Sequence, residues 1–325
     1  MKKSTQNTII EILQLADDYV SGETIAERAN VSRSAVWKHV EKLKKEGYLI
    51  EGVKNKGSRL INDGEIISQI NLTKSLQSIL SGGIEVKKQV TSTNKILKQM
   101  AEQGCPKDFL LIANSQTEGI GRYGRKFFSP IDSGIYFSVL LRPQMDLSLT
   151  TNITVAMAVA VATAVEKITK NPCQIKWVND VLYNGKKVCG ILTEGSIDVE
   201  TMSTKFVIVG VGINLYEPAD GFDKTIKNIA GGLTDSAKKI DKNSLITSII
   251  TNFYNYLENL SSPCLLQLYR DRLAFVGSTV DILKNGEKVD EGQVLGVDEN
   301  YKLQVKTPTG TTLLDSGEIS TRLTK

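Results

Sequence analysis

Residues Gln116 to Lys126 read Gln-Thr-Glu-Gly-Ile-Gly-Arg-Tyr-Gly-Arg-Lys, with three glycines, two arginines and a lysine in the last eight positions. The apolar run just before them, Phe109 to Ala113, predicts a strand. Glycine lets a backbone approach a ligand closely and adopt φ > 0, and arginine brings forked donors that match carboxylate or phosphate. The stretch therefore reads as an anion-cradling loop. Gly119, Gly121 and Gly124 also satisfy G-x-G-x-x-G, the dinucleotide fingerprint, which needs a helix opening on the glycines and an acidic residue about 20 positions on. Here Phe127, Phe128, Ser129 and Pro130 follow, then the turn residues Asp132, Ser133 and Gly134 and a second apolar run, Ile135 to Leu141. A phosphate-binding loop between two strands fits this order better than a nicotinamide site or a bland surface loop.

Upstream of the loop the pattern predicts a helix near Ile66 to Leu80, a strand from Ile84 to Val90, the turn Thr91-Ser92-Thr93-Asn94 and a helix from Lys95 to Gln103. Ser92, Thr93 or Asn94 could simply cap that last helix. One helix and one strand separate the turn from the glycine loop, however, so both could converge at one end of a sheet, where hydroxyls suit a polar, uncharged ligand group.

Downstream, Ile153 to Ile168 reads as a buried helix by its Ala and Val content. Ile175 to Tyr183 and Lys186 to Leu192 flank Asn184-Gly185, the strongest short hairpin signal, which would bring Asn179 and Asp180 near Lys187 and Gly190. Val207 to Leu215 is a strand whose Gly210 and Gly212 again permit close approach, and Ser244 to Leu260 is a packing helix. Hairpin-rich strands with helices beside them indicate an α+β domain. Taken singly, Lys176 and Lys187 are ordinary strand-end lysines and Asp180 an ordinary turn residue. With no Ser-His-Asp triad, redox-cofactor box or metal cluster in the sequence, what remains for them together is chemistry on an anion by electrostatic stabilisation.

The first 60 residues form a different module. Ile9, Ile10, Ile12, Leu13, Leu15 and Ala16 make one helical stripe, Thr24 to Ala29 a short second helix, and Ser32 is placed to cap a third that runs to Gly47. Val36, Val40 and Leu43 lie on the inward face of that third helix. A hairpin then turns through Lys54-Asn55-Lys56-Gly57. This is the order of a winged helix-turn-helix, with Ser32, Arg33, Ser34, Trp37, Lys38, Lys42, Lys54 and Lys56 as candidate DNA contacts. Charge runs are often mere solvated faces, and winged helices also bind proteins. The balance of 11 Lys and Arg against 8 Asp and Glu over Met1 to Leu60 still carries most of the chain's net +4 and points to an acidic partner. His39, the sole histidine, lies here and reads as structural or as a phosphate contact.

The length of 325 residues suggests two or three domains. Cys105, Cys173, Cys189 and Cys264 lack C-x-x-C spacing, so buried free thiols in a reducing compartment are expected. The start lacks a signal-peptide core, and the apolar run Ile153 to Val165 is shorter than the roughly 20 residues of a membrane span. The expected location is the cytoplasm, with no membrane partner.

In order and spacing these stretches resemble the biotin-protein ligases. The matching motifs are Ser92-Thr93-Asn94, the loop from Gly119 to Arg125, Lys176-Trp177-x-Asn179-Asp180, Lys187-x-x-Gly190-Ile191-Leu192, Gly210-x-Gly212-Ile213-Asn214 and Gly317-Glu318-Ile319-Ser320-x-Arg322. With the winged helix, essentially the whole chain resembles the bifunctional kind that also represses biotin genes. The resemblance implies an N-terminal winged helix-turn-helix (1–63), a central α+β catalytic domain of the biotin/lipoate ligase type (64–271) and a C-terminal SH3-like β-barrel (272–325). It implies ATP-dependent formation of biotinyl-5′-AMP and transfer of biotin to a lysine of the biotin carboxyl carrier domain of acetyl-CoA carboxylase or related carboxylases. As a repressor, an adenylate-bound homodimer would grip the operator DNA of biotin genes.

By the same resemblance, biotin would be bound by Ser92, Thr93, Asn94, Gln116, Gly119, Ile120, Arg122, Lys187, Gly190, Leu192, Gly210 and Gly212. ATP would be bound by Arg122, Arg125, Phe127, Lys176, Asn179, Lys187 and Asn214, with Mg²⁺ alongside and no protein ligand to a metal assigned. Arg122 and Lys187 would cancel the repulsion between carboxylate and α-phosphate, and Asp180 would orient or deprotonate the incoming lysine. Glu318 and Arg322 read as a barrel-edge ion pair that, by family analogy, would reach the adenylate or the carrier domain. Two positions depart from the family pattern, Ile120 where arginine is usual and Val178 where proline is usual, and the first puts retention of the adenylate in question. The alternatives are a non-catalytic DNA-binding sensor of biotin or a nucleotide, and a redox regulator that binds NAD.

Overall fold

The computed structural model describes residues 5–16, 18–45, 48–61, 65–105, 108–143, 150–197, 203–234, 239–284, 287–315 and 318–320. The chain divides into two compact units, Met1–Ser75 with Lys239–Ser244, and Leu76–Lys238 with Leu245–Lys325.

In the first unit, α1 (Thr5–Gln14), α2 (Gly22–Ala29) and α3 (Arg33–Lys45) precede the antiparallel pair β1 (Ile50–Val53) and β2 (Gly57–Leu60). Local chemistry sets the ends. Ser21 Oγ accepts from Thr24 N at 3.0 Å to cap α2, Ser32 Oγ accepts from Ala35 N at 3.2 Å to cap α3, and Asn30 closes α2 in the left-handed region at φ 51°. Val36, Val40 and Leu43 join Ile9, Leu13, Ile25 and Ile50 in one core. Leu15, expected in the α1 stripe, is 60% exposed. The expected helix stop at Gly47 lies outside the described residues.

Val20 exchanges two backbone hydrogen bonds with Ser58, at 2.8 and 2.9 Å, and so adds a third rung to the hairpin. Gly57 (φ 111°) is required beside it, since a Cβ there would run into the Val20 carbonyl. Asn243 returns to this unit from far along the chain, accepting from Ser68 N and donating to Ile66 O, each at 2.7 Å.

After α4 (Gln69–Leu76), the second unit contains β3 (Gly83–Lys87), α5 (Thr93–Glu102), β4 (Phe109–Ala113), β5 (Gly134–Leu141), α6 (Thr150–Thr169), β6 (Gln174–Lys176), β7 (Asp180–Tyr183), β8 (Lys186–Ile197) and β9 (Thr204–Asn214). These strands make one seven-stranded sheet in the order β3-β4-β5-β9-β8-β7-β6. Only β3 and β4 run parallel, joined by α5 as a crossover. All eight residues of β5 are buried, with α5 packed against β4, β5 and β9 and α6 against β6 to β9. Helix α6 is long and apolar enough to cross a membrane, but 72% of its most apolar window is buried inside the fold, so its apolarity belongs to the core.

No helix opens on the glycines after β4: Arg122–Gly124 form a single 3-10 turn, which removes the structural context that a dinucleotide fingerprint needs. The stretch Ile175 to Tyr183 is not one continuous run. It folds into the short antiparallel strands β6 and β7 around a turn at Trp177 to Asn179, where the Trp177–Val178 peptide is cis.

Helices α7 (Lys242–Leu257) and α8 (Pro263–Arg270) follow, the second capped by Ser262 with Pro263 in its first turn. Strands β10 (Thr279–Lys284), β11 (Glu287–Val297), β12 (Leu303–Thr307), β13 (Gly310–Leu314) and β14 (Glu318–Ser320) form a five-stranded antiparallel sheet in the order β13-β12-β11-β10-β14. Residues 285–286 and 316–317, the side chain of Glu318 and all of Arg322 lie outside the described residues.

Candidate active site

The glycine loop closes on itself. Phe127 N donates to Gly119 O at 2.8 Å and Gly121 N to Arg125 O at 2.7 Å, leaving Arg122, Tyr123 and Gly124 as the tip. Tyr123 (φ 58°) and Gly124 (φ 70°) are both left-handed there. Gly119 is buried beneath the loop, with no room for a Cβ against Phe127 O and Ser129 Oγ. The aromatic ring of Phe127 lies over Gly212 of β9 and Gly190 of β8, and a Cβ on Gly212 would land in the ring. These glycines are needed to bring loop and sheet together.

Between loop and sheet lies a cavity of about 530 Å³. Every residue expected to bind biotin or ATP lines it except Gly119, which instead shapes its floor from below.

One end of the cavity is polar and uncharged. Ser92 sits at the N-cap position of α5 but its side chain makes no capping bond, so capping does not account for its hydroxyl. Gln116 Oε1 accepts from Thr93 N at 2.8 Å and from Thr93 Oγ1 at 3.2 Å, while Gln116 Nε2 donates to Ser129 Oγ at 3.0 Å. Ser138, fully buried on β5, donates to Asn94 Oδ1 at 2.6 Å and lies 2.7 Å from Thr93 Oγ1. Asn94 Nδ2 donates to Glu194 Oε2 at 2.7 Å. The Asn94 amide is thus engaged at both its oxygen and its nitrogen by the scaffold. Its oxygen also lies where a Gly210 side chain would be.

The other end is charged. Lys187 Nζ lies 2.7 Å from Asp180 Oδ1, both partly buried. Arg122 Nη1 donates to Asn179 Oδ1 at 3.1 Å, and Asn179 Nδ2 donates to Ile191 O at 2.8 Å, so the β6–β7 turn joins the loop tip to β8. The Arg122 guanidinium also lies 5.2 Å from the centre of the Tyr123 ring. Lys176, Arg125 and Asn214 complete this end. Among the described residues Asp180 is the one carboxylate on the cavity wall, and no three His, Cys, Asp or Glu side chains gather to hold a metal ion. Cys189 also borders the cavity, and burial, with the nearby Asp180 carboxylate adding to it, pushes its thiol well above the usual range and disfavours the thiolate.

Sequence reasoning missed several contributors. Ser138 and Glu194 gave no local signal, since each is one polar residue in a strand. Phe222, Ile226 and Ile229 come from a segment over the charged end, anchored where Lys187 N donates to Ile229 O at 2.7 Å and Gly231 N to Lys187 O at 3.0 Å. The Asp223-x-Thr225 turn and Gly231-Gly232 were its available markers. Phe275 and Leu283 arrive from the C-terminal part of the unit.

In the first unit, Ser32, Arg33, Ser34, Trp37, Lys38 and Lys42 are all exposed on α3, with Trp37 at 66%, and Lys54 and Lys56 are exposed at the hairpin tip. His39 is half-buried on the same helix. Arg59 lies 4.8 Å over the Tyr19 ring and pairs with Glu51 at 3.0 Å, which braces the hairpin against the α1–α2 connection.

Residues 86–214 match the biotin/lipoate A/B protein ligase family, and residues 5–59 match a helix-turn-helix domain. The chain is 34% identical to the bifunctional ligase/repressor BirA of Bacillus spizizenii over 98% of this chain and 99% of that protein. It is 27% identical to the protein of the same name in Escherichia coli, over 79% of this chain and 78% of that one. Among solved structures, biotin protein ligase from Aquifex aeolicus in complex with biotin and ATP superposes with a TM-score of 0.60 at 28% identity, covering 74% of this chain and 98% of that one.

Proposed function

The chain belongs to the bifunctional biotin ligase/repressor family, and from that premise we propose that it makes biotinyl-5′-AMP from biotin and ATP, transfers the biotinyl group to a lysine of a carboxylase carrier domain, and represses transcription in response to biotin. The observation that carries the ligase reading is the division of one cavity into an uncharged hydroxyl-and-amide end and a cationic end. A ureido ring with an apolar tail suits the first and its glycine-lined approach, and a polyphosphate suits the second.

In the first step a biotin carboxylate oxygen bonds to the α-phosphorus while the bond from that phosphorus to the bridging oxygen breaks, and pyrophosphate leaves. Two anions must meet, so Arg122 and Lys187 lower the barrier by cancelling their repulsion in a partly desolvated cavity. Ser92, Thr93 and Gln116 hold the ureido end, and Lys176, Arg125, Asn179 and Asn214 serve the nucleotide. In the second step the carrier lysine's amine bonds to the biotinyl carbonyl carbon as the bond to AMP breaks. Asp180 orients that amine and takes its proton. With Asp180 the one carboxylate on the wall among the described residues, Mg²⁺ fits this site as an ion carried on the phosphates, where it would neutralise their charge.

The three-domain division 1–63, 64–271 and 272–325, with the last as an SH3-like barrel, belongs to the same reading, and the five antiparallel strands support it. A homodimer on the palindromic operator of biotin genes and a cytoplasmic setting are further parts of this proposal. The exposed basic face of α3 and the lysines at the hairpin tip support the DNA role.

The deciding experiment is incubation with biotin and Mg-ATP, following pyrophosphate release and the bound product by mass spectrometry. Biotinyl-adenylate is expected. Bound biotin without adenylate would replace the ligase with a sensor.

A further inference from the structure

The β6–β7 turn carries Lys176, Asn179 and Asp180 and meets the glycine loop where Arg122 donates to Asn179. It is also held from the C-terminal part of the second unit. The Trp177 indole, almost fully buried on the cavity wall, donates from Nε1 to Tyr301 O at 2.8 Å. Tyr301 aims that carbonyl from a left-handed conformation (φ 60°), which a tyrosine adopts only when its surroundings impose it. The surroundings here are a closed turn between β11 and β12. The Asp298 carboxylate accepts from Asn300 N at 2.9 Å and Lys302 N at 2.8 Å, and Asp298 N donates to Lys302 O at 3.0 Å.

A second tie runs beside the first. The Tyr269 hydroxyl donates to Val178 O at 3.4 Å, and its ring meets that of Tyr301 edge-on at 5.7 Å. Strand β6 is fixed from the same side, with Ile175 N donating to Arg272 O at 2.6 Å and Ala274 N to Ile175 O at 2.9 Å. Among the described residues, no hydrogen bond from the C-terminal strands reaches Thr93, Asn94 or Gln116. Ser138, Ser129 and Glu194, which hold Thr93, Asn94 and Gln116, all belong to the seven-stranded sheet or to its glycine loop.

We propose that Trp177 is a positioning residue for the nucleotide, linking the Asp298–Lys302 turn to the Lys176–Asp180 turn, so that the C-terminal strands set the ATP end of the cavity and leave the biotin end alone. This rests on the ligase reading only for which substrate occupies which end.

The test compares Trp177→Phe, which keeps a buried aromatic ring and removes the donor, with Asp298→Ala, which loosens the Tyr301 turn from outside the cavity wall. In the pyrophosphate assay both variants should raise KM for ATP about tenfold, the equivalent of about 1.4 kcal/mol, with KM for biotin changed less than about twofold. Calorimetric titration of each variant with ATP alone and biotin alone should show the same asymmetry. Equal changes for both ligands, or a lower Tm with ATP affinity unchanged, would overturn the link. If the unaltered protein releases no pyrophosphate, the ligase reading falls, while the ATP and biotin titrations still decide the link.

Discussion

Lys187 Nζ and Asp180 Oδ1 stand 2.7 Å apart across the start of β7 and β8, where Asp180 is paired in register with Gly190. The Asn184-Gly185 turn makes that meeting possible, since both residues have positive φ, 50° and 73°, as a tight two-residue hairpin turn requires. Both side chains line the cavity.

Replacing Lys187 by alanine should lower the rate of adenylate formation at least tenfold, about 1.4 kcal/mol in the barrier. Asp180→Asn should slow transfer to the carrier lysine more than it slows adenylate formation. Separate single-turnover measurements of the two steps check both, and unchanged turnover in Lys187→Ala would remove that residue from the mechanism.

Gly210 faces the Asn94 amide so closely that a methyl group has nowhere to go. Gly210→Ala should cost about 1 to 3 kcal/mol of stability through overpacking. Because Asn94 sits beside Thr93, KM for biotin should rise more than KM for ATP. Denaturant melts and initial rates with each substrate varied would measure the two effects.

The α3 face and hairpin tip should bind operator DNA with a steep salt dependence, a slope of about −0.9 for each phosphate contacted. Lys38→Ala or Lys42→Ala should each reduce that slope by about 1. A flat salt dependence, or full binding after removal of residues 1–63, would exclude the face.

Burial, with the Glu166 carboxylate adding to it, pushes the Cys173 thiol from 9.0 up to about 12, and burial pushes the Tyr136 phenol from 10.0 up to about 12. The folded state holds these protons more tightly than the unfolded chain. The Cys173 contribution is therefore complete below about pH 9 and is lost as pH rises from there toward 12, at up to about 1.4 kcal/mol per pH unit. Urea midpoints between pH 8 and 11 should fall, less steeply in Cys173→Ala. At pH 8 a thiol reagent should reach exposed Cys264 first and buried Cys173 and Cys189 only on unfolding.

Much of this architecture was legible because its signals are local. Ser21 and Ser32 cap helices that their own next residues form, Asn184-Gly185 turns a hairpin within its own four residues, and the glycine loop announces itself by composition within eight. Capping, turn conformation and alternation act over a few bonds, so the order of residues alone determined the winged helix, the hairpins and the glycine loop.

Tertiary structure decided what those pieces do to one another. That Leu15 is exposed, that Ile175 to Tyr183 breaks into two strands, that Asn94 is engaged by Ser138 and Glu194, and that Trp177 reaches Tyr301 all depend on contacts between residues 44 to 124 positions apart or on packing that no window contains. Each such contact is one hydrogen bond or one close approach, too small to bias its own segment. It takes effect only after the sheet has brought both partners within about 3 Å, and so the cavity's shape belongs to the fold.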